Sequence, residues 1–211
     1  MTFELILSFI VLIFSIIVHE VAHGYAANSL GDPTARHAGR LTLNPIPHID
    51  PMGSVLIPGL LVLSGSPIFF GWAKPVPYNP HNLRGRWGET AVALAGVATN
   101  LALALTFALI VRFGNGSLPP EALAIGALVA FVNLFLGLFN LIPFPPLDGF
   151  TALRSALPWH LGQPLYRLEA SLQGAGAFAL IAFLLIFSYL LARPFSEIVI
   201  RIFSFLTGGA L

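Results

Sequence analysis

Three ionisable side chains lie close together near the end of the first apolar segment of the sequence. His19, Glu20 and His23 form the pattern His-Glu-x-x-His inside the stretch SIIVHEVAHGYAA. On a helix, residues four apart share one face, so both imidazoles can reach a single metal ion. Glu20 beside them could hold a water molecule at that ion and take a proton from it. The pattern therefore predicts a hydrolytic zinc site, with one Zn²⁺ per chain as the cofactor.

A second interpretation of the same stretch is a pair of core histidines with a glutamate that reaches toward the membrane surface. Each ionisable group buried in a membrane is expensive unless a partner compensates it. Three such groups within five residues favour the metal site over this interpretation.

The metal site needs a further ligand, because catalytic zinc usually takes three protein ligands and leaves one position open. The sequence contains no cysteine, so the third ligand must be His, Asp or Glu. Asp148, in the stretch NLIPFPPLDGF, follows a long apolar segment. Asp50, His48 and His37 also lie near apolar segments. Spacing alone favours Asp148 and leaves Asp50 and His48 as alternatives.

The composition is that of an integral membrane protein. Of the 211 residues, 56% are hydrophobic and 9% are charged, whereas soluble domains carry about 25% charged residues. A single soluble core could not bury this much apolar surface. The net charge of +1 gives no indication of nucleic-acid binding.

Four segments have the length and composition of membrane-spanning helices, which need about 20 apolar residues. They run from about Phe3 to Ala27, between Glu89 and Arg112, between Glu121 and Asp148, and between Glu169 and Arg193. The stretch between Asp50 and Lys74 is also free of charge, but prolines and glycines interrupt it, which predicts a re-entrant or β-hairpin-like loop. Ser196–Gly209 is too short and too charged to span and is expected to lie in the interface. The prediction is an all-α integral membrane protein, a single polytopic domain over residues 1–211.

Three motifs together resemble one family. HEVAH at His19–His23, GVATN at Gly96–Asn100 and NLIPFPPLDG at Asn140–Gly149 match the patterns HExxH, GxxxN and NxxPxPxxDG, in that order. Through these three motifs the sequence resembles the site-2 protease family of intramembrane zinc metalloproteases. The resemblance is to the compact bacterial-type members without PDZ or CBS domains.

The resemblance implies a function and a role for each matching residue. His19, His23 and Asp148 become the zinc ligands, Glu20 the general base, and Asn100 and Asn140 substrate-positioning groups. The implied reaction is hydrolysis of peptide bonds within or near transmembrane segments, as in regulated intramembrane proteolysis. The expected partners are a transmembrane protein or peptide substrate and the lipid bilayer, with no nucleic acid. Interhelical hydrogen bonding is the alternative role for the two asparagines.

The topology can be tested against this ligand set. If residues between Asp50 and Lys74 spanned the membrane, Asp148 would leave it on the side opposite His23; a re-entrant stretch brings both to one side. One face then carries seven basic residues and the other three: Arg36, Arg40, Lys74, Arg84, Arg86, Arg154 and Arg167 against Arg112, Arg193 and Arg201. The positive-inside rule places the seven in the cytoplasm. We therefore expect a multi-pass cell-membrane protein with its N-terminus outside and its active site toward the cytoplasm.

A substrate helix must unwind before hydrolysis, because its amides are paired internally. A strand edge in the re-entrant stretch or in GRLTLNP, Gly39–Pro45, could hold the unwound chain by β-addition.

Two other function classes remain as alternatives to the protease. A non-catalytic zinc-binding membrane protein, or pseudoprotease, would not need the adjacent Glu20. A metal transporter would need ionisable groups along a path across the bilayer, whereas here they cluster at one depth.

Overall fold

The computed structural model describes residues 2–56, 59–60, 63, 73–114, 116–174 and 177–209. These residues form helices and connecting loops and contain no strand. The α-helices are α1 (Thr2–Ser29), α2 (Thr34–His37), α3 (Gly88–Gly114), α4 (Pro120–Asn140), α5 (Asp148–Ala156), α6 (Trp159–Gly174), α7 (Ala177–Ile186) and α8 (Ala192–Thr207). Short 3₁₀ turns occur at Ile46–His48 and Pro80–Asn82, and π-helical turns at Pro51–Leu56 and Phe187–Leu191.

Four of the described helical segments are long and apolar enough to cross a membrane. They are Glu4–Ser29, Gly88–Gly114, Pro120–Asn140 and Ile181–Thr207. The prediction of an all-α, multi-pass membrane protein with four spanning helices is confirmed, and the first three spans lie where the sequence predicted them.

The fourth span lies further along the chain than predicted. The sequence ended it before Arg193 and treated the C-terminal residues as a separate interfacial helix. Instead, α7, the π-helical turn and α8 follow one another without a break to Thr207. Arg193 and Glu197 lie one helical turn apart and pair at 3.3 Å on the exposed face. Because the two charges face outward and neutralise each other, they do not end the helix.

The helix α3 is the centre of the bundle and packs against α1, α4, α5 and α8. Its buried face carries small residues spaced four apart, at Gly96, Ala104 and Ala108, with Asn100 in the same register. Small side chains at this spacing let helices approach closely, which is how membrane helices gain packing energy. The same face of α3 turns toward the histidines of α1.

The stretch between Asp50 and Lys74 begins and ends at the same place. The backbone N–H of Lys74 donates to the carbonyl of His48 at 2.9 Å. Residues 57–58, 61–62 and 64–72 lie outside the described residues, so the re-entrant path itself stays a prediction. The described beginning of the stretch, Pro51–Leu56, is a π-helical turn and not a strand.

The expected strand at Gly39–Pro45 does not form. These residues make bends, and their side chains bind the local backbone. Thr42 Oγ1 accepts from the N–H of Asn44 at 3.1 Å, and Asn44 Oδ1 accepts from the N–H of Ile46 at 3.1 Å. Such local hydrogen bonds compete with a strand ladder, so this prediction was wrong.

The start of α5 is held from two directions. Leu147, the residue before α5, packs in a cluster with Phe183 of α7 and Phe187 of the π-helical turn. Further along α5, the buried guanidinium of Arg154 pairs with Glu89 of α3 at 2.9 Å and with Glu169 of α6 at 2.7 Å. Together these contacts fix where Asp148 enters the bundle.

Candidate metal centre

Three potential metal ligands converge between α1 and α5. The Nε2 atoms of His19 and His23 are 3.0 Å apart. Oδ2 of Asp148 lies 2.9 Å from Nε2 of His19 and 3.4 Å from Nε2 of His23. Tetrahedral zinc with bonds of about 2.0–2.1 Å separates its ligand atoms by about 3.3 Å. The three atoms therefore have nearly the spacing of three corners of a zinc tetrahedron.

The hydrogen bonds of the imidazoles leave both Nε2 atoms free to bind a metal. Nδ1 of His23 lies 2.7 Å from the carbonyl oxygen of Val92, which can only accept, so Nδ1 carries the proton. Nδ1 of His19 donates in the same way to Oδ1 of Asn100 at 2.5 Å. A ring nitrogen held by a second hydrogen bond in this way is typical of metal-ligating histidines.

The convergence of the two Nε2 atoms and the carboxylate oxygen indicates a binding site for a cation. With both Nδ1 atoms protonated, two imidazole lone pairs and one carboxylate oxygen point at the same small volume. Oδ2 of Asp148 is buried and has no hydrogen-bond partner among the described residues. Three electron-rich atoms at 2.9–3.4 Å repel one another unless a positive charge lies between them. The donor set of two imidazoles and one carboxylate is one that zinc prefers, so the residues fit the metal.

Two glycines of the sequence motifs make room for this cluster. A Cβ atom on Gly96 would lie 2.5 Å from Nε2 of His23 and 2.7 Å from Cε1 of His19. A Cβ atom on Gly149 would overlap the carbonyl group of Leu141. The first glycine lets α3 approach the imidazoles, and the second lets α5 start against the end of α4.

The acidic residue of the His-Glu-x-x-His pattern is tied to a loop. Oε2 of Glu20 accepts a hydrogen bond of 2.8 Å from the backbone N–H of Val76. Val76 lies between Pro75 and Pro77, so it supplies the single N–H of that tripeptide. Its side chain is buried against α1 at Gly24. The bond occupies one carboxylate oxygen of Glu20 only.

The other predicted ligand candidates lie elsewhere. Oδ1 of Asp50 accepts from the N–H groups of Met52 and Gly53, so it caps the turn that follows it. The buried ring of His48 donates from Nε2 to the carbonyl of Thr42 at 2.9 Å. His37 is exposed at the end of α2. Among the described residues, His19, His23 and Asp148 are the one group of three that could hold a metal ion.

The two asparagines of the motifs have different surroundings. Asn100 is fully buried and contacts His19 directly. Asn140 is partly buried at the end of α4, and its Nδ2 donates to the carbonyl of Leu136 at 3.0 Å, within its own helix. Oδ1 of Asn140 has no hydrogen bond among those described. The structure brings Asn100 to the cluster through a hydrogen bond, and it shows no such bond for Asn140.

Sequence reasoning missed two polar residues of the site. Asn133 of α4 is 1% exposed, and Ser15 of α1 is 5% exposed. Both belong to the hydrogen-bond network behind His19. The available signal was an amide in the middle of an apolar membrane helix, where a polar side chain indicates a specific partner.

Comparison with known proteins identifies relatives of this chain. The family model of Peptidase family M50 matches residues 120–187, which include Asp148. The candidate zinc metalloprotease YwhC of Bacillus subtilis (strain 168) is 39% identical over 186 residues, covering 84% of this chain and 78% of the relative. The candidate zinc metalloprotease Rip2 of Mycolicibacterium smegmatis is 33% identical over 194 residues, covering 90% of this chain and 70% of the relative. No solved structure matches the chain significantly.

Proposed function

Because the chain belongs to peptidase family M50, the intramembrane zinc metalloproteases of the site-2 protease type, we propose that it hydrolyses peptide bonds within or near transmembrane segments of other membrane proteins. The observation that carries the proposal is the convergence of two imidazole Nε2 atoms and one carboxylate oxygen within 3.4 Å. In this proposal His19, His23 and Asp148 hold one Zn²⁺. The function is regulated intramembrane proteolysis.

In this proposal zinc and Glu20 have separate roles in the hydrolysis. Zinc, when bound, acts as a Lewis acid that polarises water and the scissile carbonyl. Glu20 takes a proton from the attacking water, whose oxygen adds to the carbonyl carbon. The C–N bond then breaks, and Glu20 returns the proton to the leaving amine. Oε1 of Glu20 can take this proton, because the N–H of Val76 occupies only Oε2.

The surroundings of the site support a membrane substrate. His19 and His23 lie in the second half of a 26-residue span, so the scissile bond must reach a site that is nearer to one membrane surface than to the other. The basic residues of the loops favour the cytoplasmic surface for this side and an outside N-terminus. The substrate segment must unwind to expose a peptide bond there. In this proposal Asn140, whose Oδ1 is available at the end of α4, positions the unwound substrate chain.

The experiment combines metal content with a search for cleaved bonds. Wild type and Glu20→Gln would be purified in detergent for zinc determination by mass spectrometry. The same two proteins would be expressed in cells whose own copy is deleted. New N-termini in membrane proteins would then be compared between the two strains.

We expect about one zinc per chain in both proteins, and new N-termini in transmembrane segments with wild type alone. Glu20→Gln is the matched control, because it keeps the shape and the hydrogen bond from Val76 but removes the base. Zinc bound without any cleavage in either strain would favour a pseudoprotease. If Glu20→Gln cleaved its substrates as well as wild type does, the assignment of Glu20 as the base would be overturned. Absence of zinc from both proteins would overturn the proposal.

A further inference from the structure

We propose that Asn133 is a positioning residue for the metal site, which acts through Asn100 to keep the proton of His19 on Nδ1 and its Nε2 lone pair free. This inference rests on the proposed zinc function. Among the described residues, Asn133 has no hydrogen bond to His19, His23 or Asp148. It lies two hydrogen bonds away from His19, on a different helix, and it is outside the three sequence motifs.

The connection is a continuous chain of buried hydrogen bonds across α1, α3 and α4. Nδ1 of His19 donates to Oδ1 of Asn100, and Nδ2 of Asn100 donates to Oδ1 of Asn133 at 2.7 Å. Nδ2 of Asn133 donates to Oγ of Ser15 at 2.9 Å and to the carbonyl of Val129 at 2.9 Å. The exposed fractions of both asparagines are 1% or less. Water therefore cannot replace a lost partner at low cost.

The direction of every bond in this chain follows from its far end. The carbonyl of Val129 can only accept, so the amide nitrogen of Asn133 must face it. The amide oxygen of Asn133 then faces Asn100, which must present its own nitrogen. That nitrogen also lies 3.4 Å from the carbonyl of Ser15, a second acceptor. The oxygen of Asn100 is thus left for His19, whose Nδ1 must carry the proton.

Removing Asn133 would leave Nδ2 of Asn100 with the carbonyl of Ser15 at 3.4 Å as its acceptor and would weaken this constraint. An amide is nearly symmetric in shape, so Asn100 could rotate by half a turn and present its nitrogen to His19. Nδ1 of His19 would then accept, and the proton would move to Nε2, where it can donate to Asp148. A protonated Nε2 cannot bind zinc, so the metal would have to displace the proton and turn the amide back. Loss of such an outer partner typically weakens metal affinity about 10-fold to 100-fold.

The test compares four proteins: wild type, Asn133→Leu, Asn133→Asp and Thr99→Val. Leucine removes both ends of the amide. Aspartate keeps an acceptor for Asn100 and is the conservative rescue. Thr99→Val is the matched control: it removes a hydroxyl of α3 whose one hydrogen bond among the described residues goes to the carbonyl of Ala95, at 2.9 Å within its own helix. Thermal unfolding identifies any variant that does not fold.

The first readout needs no metal. Proteins with ¹⁵N-labelled histidine are studied zinc-free by NMR, and the His19 signal is assigned by its loss in His19→Gln. We expect a proton on Nδ1 of His19 in wild type, Asn133→Asp and Thr99→Val, and its loss from Nδ1 in a substantial fraction of Asn133→Leu. The second readout is zinc affinity by chelator competition, expected to fall about 10-fold to 100-fold in Asn133→Leu alone.

The outcomes separate this inference from the proposed function. Wild-type zinc affinity and a fully protonated Nδ1 in a folded Asn133→Leu would overturn the inference and leave the zinc site intact. A proton on Nδ1 in wild type that is lost in Asn133→Leu, with no zinc bound by either protein, would support the hydrogen-bond chain and overturn the zinc function. Equal losses in Asn133→Leu and Thr99→Val would indicate a general packing effect and overturn the inference.

Discussion

Replacement of Gly96 by alanine tests directly whether the close approach of α3 to the imidazoles builds the metal site. The added Cβ atom would lie 2.5 Å from Nε2 of His23. Ordinary contacts lie at about 3.5 Å, so the ring or the helix must shift by about 1 Å. Metal-ligand distances tolerate only about 0.2 Å. The hydrogen bond of Nδ1 to the carbonyl of Val92 at 2.7 Å prevents the ring from simply turning away.

The size of the effect follows from the cost of overpacking. Insertion of a methyl group into a closely packed site costs about 1–3 kcal/mol. If this cost falls on the zinc-bound geometry, the affinity decreases roughly 5-fold to 150-fold. Zinc affinity would be measured by chelator competition, and the coordination geometry by the absorption spectrum of the cobalt-substituted protein.

The control is another glycine of the same helix. A Cβ atom on Gly114 would lie 2.7 Å from Cδ1 of Leu118, a comparable overlap far from the histidines. Gly114→Ala is therefore expected to change thermal stability and to leave zinc affinity within about twofold, since no ligand contacts it. Wild-type zinc affinity and an unchanged cobalt spectrum in Gly96→Ala would refute the argument that the missing side chain makes room for the ligands.

Three further predictions concern Val76, Arg154 and Asp32. Val76→Pro deletes the N–H that binds the proposed base, so kcat should fall about 10-fold to 100-fold, which corresponds to the free energy of a charge-assisted hydrogen bond. The zinc content of this variant should not change. The control Val76→Ala keeps the N–H, so its kcat should stay near that of wild type. Arg154→Ala breaks two buried ion pairs and should lower the free energy of unfolding by about 3–5 kcal/mol. The control Arg193→Ala removes an exposed charge and should lower it by less than about 1 kcal/mol. Both values would be measured by denaturant titration in detergent. Burial would raise the pKa of Asp32, but hydrogen bonds donated by its neighbours lower it. The charge of Asp32 therefore stabilises the fold above the usual carboxyl pKa of about 3.9, and this contribution is lost as the pH falls through the lowered pKa. Acid should thus lower the melting temperature of wild type more than that of Asp32→Asn.

The parts of the fold that sequence predicts well depend on spacing within one helix. His23 follows His19 by four residues, and this spacing places both rings on one face wherever the helix lies. Asn133 could not be found in this way, because its partner on α3 depends on how far two helices slide past each other. The end of the fourth span was missed for a related reason. A charge such as that of Arg193 is costly in a span only when it lacks a partner. Glu197 becomes that partner only if the helix continues beyond Arg193 and places the two side chains one turn apart.

One face of α3 explains why the glycine and the asparagine of the GxxxN motif are spaced four apart. Gly96 leaves the space that the rings of His19 and His23 occupy, and Asn100, one helical turn further, fixes the proton of His19. Neither residue can act unless α3 packs against α1 at this distance. The proposed zinc ligands are thus positioned by the same contact that joins the two helices. A metal ion that binds only the packed state shifts the equilibrium toward that state, so we expect metal binding and helix packing to stabilise each other. On this argument, substitutions that loosen the α1–α3 contact weaken the site even where they leave every ligand in place.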